Sequence, residues 1–269
     1  MARARRLAGV VLFVVAAGPT AAAAPLPVCA PPAGEAVAGA RVAGPFELVL
    51  PDGTRLRLAG VGLAAPGEGE AAAAAALQAL VAGRAVRAEA GPPRLDRYGR
   101  RITRVAAGGG GDLGEQLVAA GMAIAGPAPH AALAGPCRVR LRAAEAAARR
   151  AGRGLWADGT FRIDAAGDRR LAARAGRFAV VHGRIVSVGK AGRTRYLNFG
   201  RRWSLDFTAT IAESEGAWPR GWGIGPDALQ GAHVRVRGWL ESDDGGLVRL
   251  ARPEDLEWIG PVRHADEGE

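Results

Sequence analysis

The chain of 269 residues is long enough for two ordinary domains, and its 49% hydrophobic and 23% charged content excludes an intrinsically disordered polymer. A formal net charge of +10 makes polyanions the favoured partner class: nucleic acid, acidic glycans or an anionic membrane surface. Two cysteines and four scattered histidines give no zinc-ligand pattern.

Residues 1–24 read as a secretory signal peptide. Arg3, Arg5 and Arg6 form its positive start, Leu7 to Ala17 an apolar stretch too short to span a bilayer, and Ala21 to Ala24 the small-residue cleavage region. The alternative is a retained N-terminal anchor. No later run has membrane-spanning length, so the expectation is an exported protein, periplasmic or extracellular, with no transmembrane segment after cleavage. Losing the three arginines lowers the charge from +10 to +7, still basic. Cys29 and Cys137 both survive cleavage, and an even pair in an oxidising compartment predicts one disulfide. Closing so long a loop would stabilise the fold by about 4 kcal/mol in the chain-entropy model.

Residues 25–44 form a lead-in rich in Pro, Ala and Gly. Phe46 to Leu50, the Pro51-Asp52-Gly53-Thr54 turn and Arg55 to Leu58 predict a hairpin. Glu70 to Val81 predicts a helix stopped by Gly83, and Arg84 to Glu89 a strand. Asp96 to Arg100 is a turn before a strand at Arg101 to Val105. Asp112 and Glu115 have capping-box spacing at the start of a second helix that buries Leu113, Leu117 and Val118. A third helix is expected at about Arg138 to Arg153, with Leu141, Ala144 and Ala148 inward and Arg142, Arg149 and Arg153 facing water. Residues 158–175 read as a charged linker. From 176 to 262 the pattern is β: Phe178 to Val188, Thr194 to Phe199, Phe207 to Ile211, Val234 to Leu240 and Leu247 to Ala251, with a helical turn near Pro226 to Leu229. Residues 263–269 are a tail. An OB-like barrel is the preferred architecture for this second domain.

Four pieces between residues 45 and 157 stand in a distinctive order. They are Arg57-Leu58-Ala59-Gly60-Val61, Asp96-Arg97-Tyr98-Gly99-Arg100, Leu113 to Ala123, and Ala143 to Arg150 ending at Gly154-Leu155-Trp156. Together they resemble a staphylococcal-nuclease-like (thermonuclease) domain. The resemblance implies an α+β chain, a β-barrel of OB type with helices, followed here by the second, smaller OB-like β domain. It further implies a phosphodiesterase ancestry in which two arginines clamp a phosphate and carboxylates hold Ca²⁺. Arg57 and Arg100 match the two arginines.

The acids of that family do not carry over. Where the resemblance implies Asp and Glu, five and eight residues after Arg57, stand Gly62 and Ala65, and the first Asp position falls on Phe46. If Pro66 marks a two-residue insertion, Gly67 takes the Glu position. Glu47 and Glu68 are the candidate replacement acids. Glu47 is expected on the face opposite Phe46, and Glu70 at the helix start, where a negative charge suits the dipole.

Read without the resemblance, Arg57 is a solvated strand residue, Arg100 a partner of Asp96 in a structural turn, and Tyr98 a packing residue. In the second domain, Arg195-Tyr196-Leu197-Asn198-Phe199-Gly200-Arg201-Arg202-Trp203 interleaves cations with aromatics as a single-strand-binding groove would. It also reads as a hairpin with Tyr196, Phe199 or Trp203 packed inside. Trp218, Trp222, Trp239 and Trp258 read as core or rim packing.

The expectation is therefore a protein that binds a phosphodiester or other polyanion, nucleic acid included, with calcium-dependent cleavage lost and no cofactor. The alternatives are an active nuclease using Glu47, Glu68 and Ca²⁺, or an envelope scaffold.

Overall fold

The structure is a computed structural model that describes residues 28–65, 67–126, 133, 135–157, 161, 163–168, 171–202, 204–213, 225–242 and 245–259. The signal segment 1–24, the tail 263–269, Pro66, Trp203, Trp218 and Trp222 lie outside the described residues.

The first unit runs β1 (Ala36–Val37), β2 (Arg41–Gly44), β3 (Glu47–Val49), β4 (Arg55–Leu58), β5 (Val61–Gly62), α1 (Glu70–Val81), β6 (Val86–Ala88), β7 (Arg101–Thr103), β8 (Val105–Ala107), α2 (Leu113–Ala119), β9 (Ile124–Ala125) and α3 (Gly135–Arg150). The hairpin forms where expected, because Asp52 accepts from the Thr54 N–H at 2.8 Å and from its hydroxyl at 2.9 Å. Strands pair in the order β2-β3-β4-β7, with β4 and β7 parallel, beside a β1-β6-β8 sheet and a β5-β9 pair. On β4, Leu56 and Leu58 are buried in the core while Arg55 and Arg57 take the other face.

The strand expected through Val105 is interrupted. Arg104 is buried and donates to Glu89 at 3.2 Å and Asp112 at 3.0 Å, so the chain crosses there from the β4 sheet to the β6 sheet. α1 lies within its expected bounds and buries Ala73, Leu77 and Val81 one turn apart. α2 is capped by Asp112, which accepts from the Glu115 N–H at 2.9 Å, but the Glu115 carboxylate pairs with Arg140 of α3 at 2.7 Å. α3 begins and ends three residues earlier than expected. Its Cys137 forms a disulfide with Cys29, with Cα atoms 4.9 Å apart.

The second unit comprises β10 (Ile163–Ala165), β11 (Phe178–Arg184), β12 (Ser187–Ala191), β13 (Thr194–Asn198), β14 (Thr208–Ala212), α4 (Pro226–Leu229), β15 (His233–Glu241), β16 (Leu247–Leu250) and β17 (Leu256–Trp258). One mixed eight-stranded sheet, β10-β11-β15-β16-β14-β13-β12 with β17 on β15, forms a half-barrel around Val181, Ile185, Phe207, Val234 and Val236. The expected strand Phe178 to Val188 divides at Ile185, which turns inward while its backbone bonds Ala232 and Gly231. Inside the expected linker, β10 pairs in parallel with β11, and its buried Asp164 bonds Arg174.

The two units pack against each other. Arg237 of β15 and Glu145 of α3 form a buried bidentate pair at 2.9 Å, and both also bond the backbone of Ala125. The Phe178 N–H donates to the Ala64 carbonyl at 2.7 Å. Arg142, expected in water, instead reaches the Glu254 carbonyl of the second unit. An arginine stem covers apolar surface there while its head finds a carbonyl.

Candidate functional site

The Asp96–Arg100 turn is built by its own side chains. The Asp96 carboxylate accepts from the backbone N–H of Tyr98 at 2.9 Å and of Arg100 at 3.0 Å, and from the Arg100 guanidinium at 2.7 Å. Gly99 at φ 71° closes the turn in a conformation that a side chain disfavours. Burial opposes the Asp96 charge, but these bonds outweigh it and hold the carboxyl below its usual range. The expected Asp96–Arg100 pairing is thus present, and the Arg100 guanidinium also bonds Glu47.

Arg100, Arg57 and Glu47 converge on one cavity of about 770 Å³. Glu47 lies directly opposite Arg57 in the β3–β4 register, which sets both side chains on one face. Its Oε2 accepts from Arg100 at 2.9 Å and its Oε1 from Arg55 at 2.6 Å. Phe46 lines the same cavity, with the Arg57 guanidinium 5.0 Å from its ring centroid. Phe46 and Leu48 belong to the core cluster while Glu47 between them meets Arg55 and Arg100, in keeping with the expected opposite faces, and the Phe46 ring also borders the cavity. Glu47 is the first residue of β3, one position after Phe46, where the resemblance implies the first acid.

Gly62 and Ala65 also line the cavity, so the positions without acids are in place while the acids are not. Glu68 is not among the lining residues: it pairs with Arg177 of the second unit at 2.5 Å. Glu70 was read only as a helix start, yet it does line the cavity, and it accepts the Gly67 N–H at 3.0 Å. Sequence reasoning missed it because the glycine-rich loop, with left-handed residues at Gly67 and Gly69, folds the helix N-terminus back toward β5.

Three arginines (Arg57, Arg97, Arg100) and three carboxylates (Glu47, Glu70, Asp96) share the lining, but not evenly. Arg57 donates to the Leu58 carbonyl at 2.8 Å and the Val61 carbonyl at 2.9 Å, and among the described residues no carboxylate pairs with it directly. Burial, and next the charge of Arg100, lower its pKa to about 10. For Arg100, burial disfavours the charge, but the bonds from Glu47 and Asp96 prevail and raise its pKa above the ordinary value. Tyr98, read as a packing residue, is 57% exposed, with the guanidiniums of Arg97 and Arg100 at 4.8 and 5.0 Å from its ring.

Residues 69–158, a third of the chain, match the family model described as staphylococcal nuclease homologue. The chain contains a staphylococcal-nuclease-like domain. The match spans α1, the Arg100 turn, α2 and α3, and starts after Arg57, so the β3–β4 half of the cavity lies upstream of it. No curated protein matches the chain.

Calcium, the ion this domain type implies, prefers about six to eight oxygen ligands. The residues around the cavity of the nuclease-like domain do not fit it. Gly62 and Ala65 offer no side-chain oxygen, and both Glu47 oxygens and both Asp96 oxygens accept bonds from arginine or backbone N–H groups. Among the described residues no group of three or more His, Cys, Asp or Glu side chains could hold a metal ion. In the second unit, Arg195 is taken up by the buried carboxylate of Glu213 at 2.5 Å together with Lys190 at 2.7 Å. Phe199 packs on Phe207 in the core, while Tyr196 is partly exposed. The hairpin reading of this stretch therefore describes it better than a groove of free cations.

Proposed function

We propose that the nuclease-like domain binds a phosphodiester in the Arg57–Arg100 cavity without calcium-dependent cleavage, in a protein exported from the cell. The observation that carries this is the state of Arg57: a half-buried guanidinium beside a second arginine, hydrogen-bonded to two carbonyls and with no direct carboxylate partner among the described residues. Such a cation is stabilised by an entering anion, and a guanidinium fork matches two phosphate oxygens. Glu47 would orient Arg100 in this reading rather than serve as a metal ligand. With Glu68 paired to Arg177, a replacement acid set has lost one of its two members.

The test is binding of a labelled single-stranded oligonucleotide, with Ca²⁺ or EDTA, to the native protein and to Arg57→Ala/Arg100→Ala. Binding that persists in EDTA, leaves the oligonucleotide intact and is lost in the double variant supports the reading. Shortened products that depend on Ca²⁺ would overturn it.

A further inference from the structure

Trp239 belongs to the second unit, yet it lines the cavity of the first together with Arg57 and Arg100. The alternation of β15 explains how it gets there. Val236 and Leu240 point into the half-barrel core, which puts Arg237 and Trp239 on the outer face toward the nuclease-like domain. Arg237 is fixed two residues away by Glu145. Gly238, between Arg237 and Trp239, lets β15 approach Val248 closely, because a Cβ there would stand 2.5 Å from the Val248 side chain. Trp239 sits opposite Phe178 in register, ring centroids 6.0 Å apart and nearly perpendicular. Phe178 in turn rests against Gly126 of the first unit, where a Cβ would meet it at 2.9 Å.

The indole is therefore held from both units, and it is still 45% exposed. An exposed tryptophan that shares a cavity with Arg57 and Arg100 has the properties of a stacking platform, because every nucleobase offers a π-face. The other exposed aromatic of the cavity, Tyr98, already has its ring engaged by Arg97 and Arg100. Building on the proposed phosphate clamp, we infer that Trp239 stacks on the base next to the clamped phosphate. The ligand class is then single-stranded nucleic acid rather than any base-free polyanion, and the second unit completes the site.

The experiment compares an oligothymidylate with an abasic deoxyribose-phosphate oligomer of equal length, using the full chain and fluorescence anisotropy. The native protein is expected to bind the base-bearing probe about tenfold more tightly, within the range that loss of one base–aromatic stack produces. Trp239→Leu, which keeps apolar bulk, should bring the two probes together, and Trp239→Phe should keep most of the difference. Equal binding of both probes by the native protein, or an undiminished preference in Trp239→Leu, overturns the stacking role and leaves the phosphate clamp standing. Failure of both probes to bind overturns the clamp itself.

Discussion

Arg237 and Arg57 are both withdrawn from water, and they stand in opposite electrical conditions. Arg237 is 3% exposed and meets a matching carboxylate fork on Glu145 and the Ala125 carbonyl, with only its Nε lacking a partner among the described residues. Among the described residues Arg57 hydrogen-bonds two carbonyls, lies over the Phe46 ring and has Arg100 as a neighbouring like charge, with Asp96 and Glu47 near but not bonded to it. The first arrangement is closed: nothing can enter without breaking it, and it joins two barrels. The second is open: among the described residues no carboxylate pairs directly with this guanidinium, and it faces a cavity. The same side chain thus serves as a lock where its counter-ion is built in and, in the proposed function, as a receptor where the counter-ion arrives from outside.

The comparison can be broken most severely at the lock. Glu145→Ala leaves Arg237 buried without its partner, and urea denaturation should show a loss of about 3–5 kcal/mol. Burial drives the Glu145 carboxyl up to about 7, against the charge of Arg142 and the bond from the Ala125 N–H, which favour the carboxylate. At the receptor the expected pattern reverses. Arg57→Ala/Arg100→Ala should weaken oligonucleotide binding about hundredfold or more, since two charge-assisted contacts are removed, and should flatten the salt slope by about 0.7 per arginine. The single variant Arg57→Met should stay within about 1 kcal/mol of native stability, because a strained cation leaves along with its two hydrogen bonds. A large loss of stability in Arg57→Met would place Arg57 among the structural locks.

pH sharpens the contrast further. Arg57 has a folded pKa near 10, below the ordinary arginine value. Between those values the unfolded chain binds the proton that the folded chain releases, so this group's contribution to stability rises with pH there. Binding moves the other way: affinity for the abasic probe should fall as pH passes about 10, and Arg57→Ala should abolish that step. The smallest effect is expected at a fully solvated pair. Arg249 and Glu241 are 63% and 43% exposed in their side chains, and Glu241→Ala should change stability by less than about 0.5 kcal/mol and leave binding unaltered.

Much of the first unit was legible in the sequence because its signals are local. The Asp52-Gly53 turn, the Ala73, Leu77 and Val81 stripe and the Asp112 cap each act within a few residues. The two arginines and the disulfide pair were also legible. What escaped depends on contacts distant in the chain. β10 and β17 are three-residue strands with an acid at the centre, Asp164 and Glu257, and no alternation long enough to read. The Arg104 crossing exists only because Glu89 and Asp112 converge on it. Glu68 looked free in a glycine-flanked loop, and only the packing of the second unit supplies Arg177. Trp239 read as core or rim packing, since nothing in its neighbours reveals that β15 turns its outer face onto the other barrel's cavity.

The decisive measurement is a binding titration of single-stranded oligonucleotide carried out in EDTA, with native protein beside Arg57→Ala/Arg100→Ala. The account predicts saturable, salt-sensitive binding by the native chain, an intact oligonucleotide at the end, and at least about a hundredfold weaker binding by the variant. Equal affinity of the two proteins, or binding that emerges only with added Ca²⁺ and ends in cleaved strands, would contradict it.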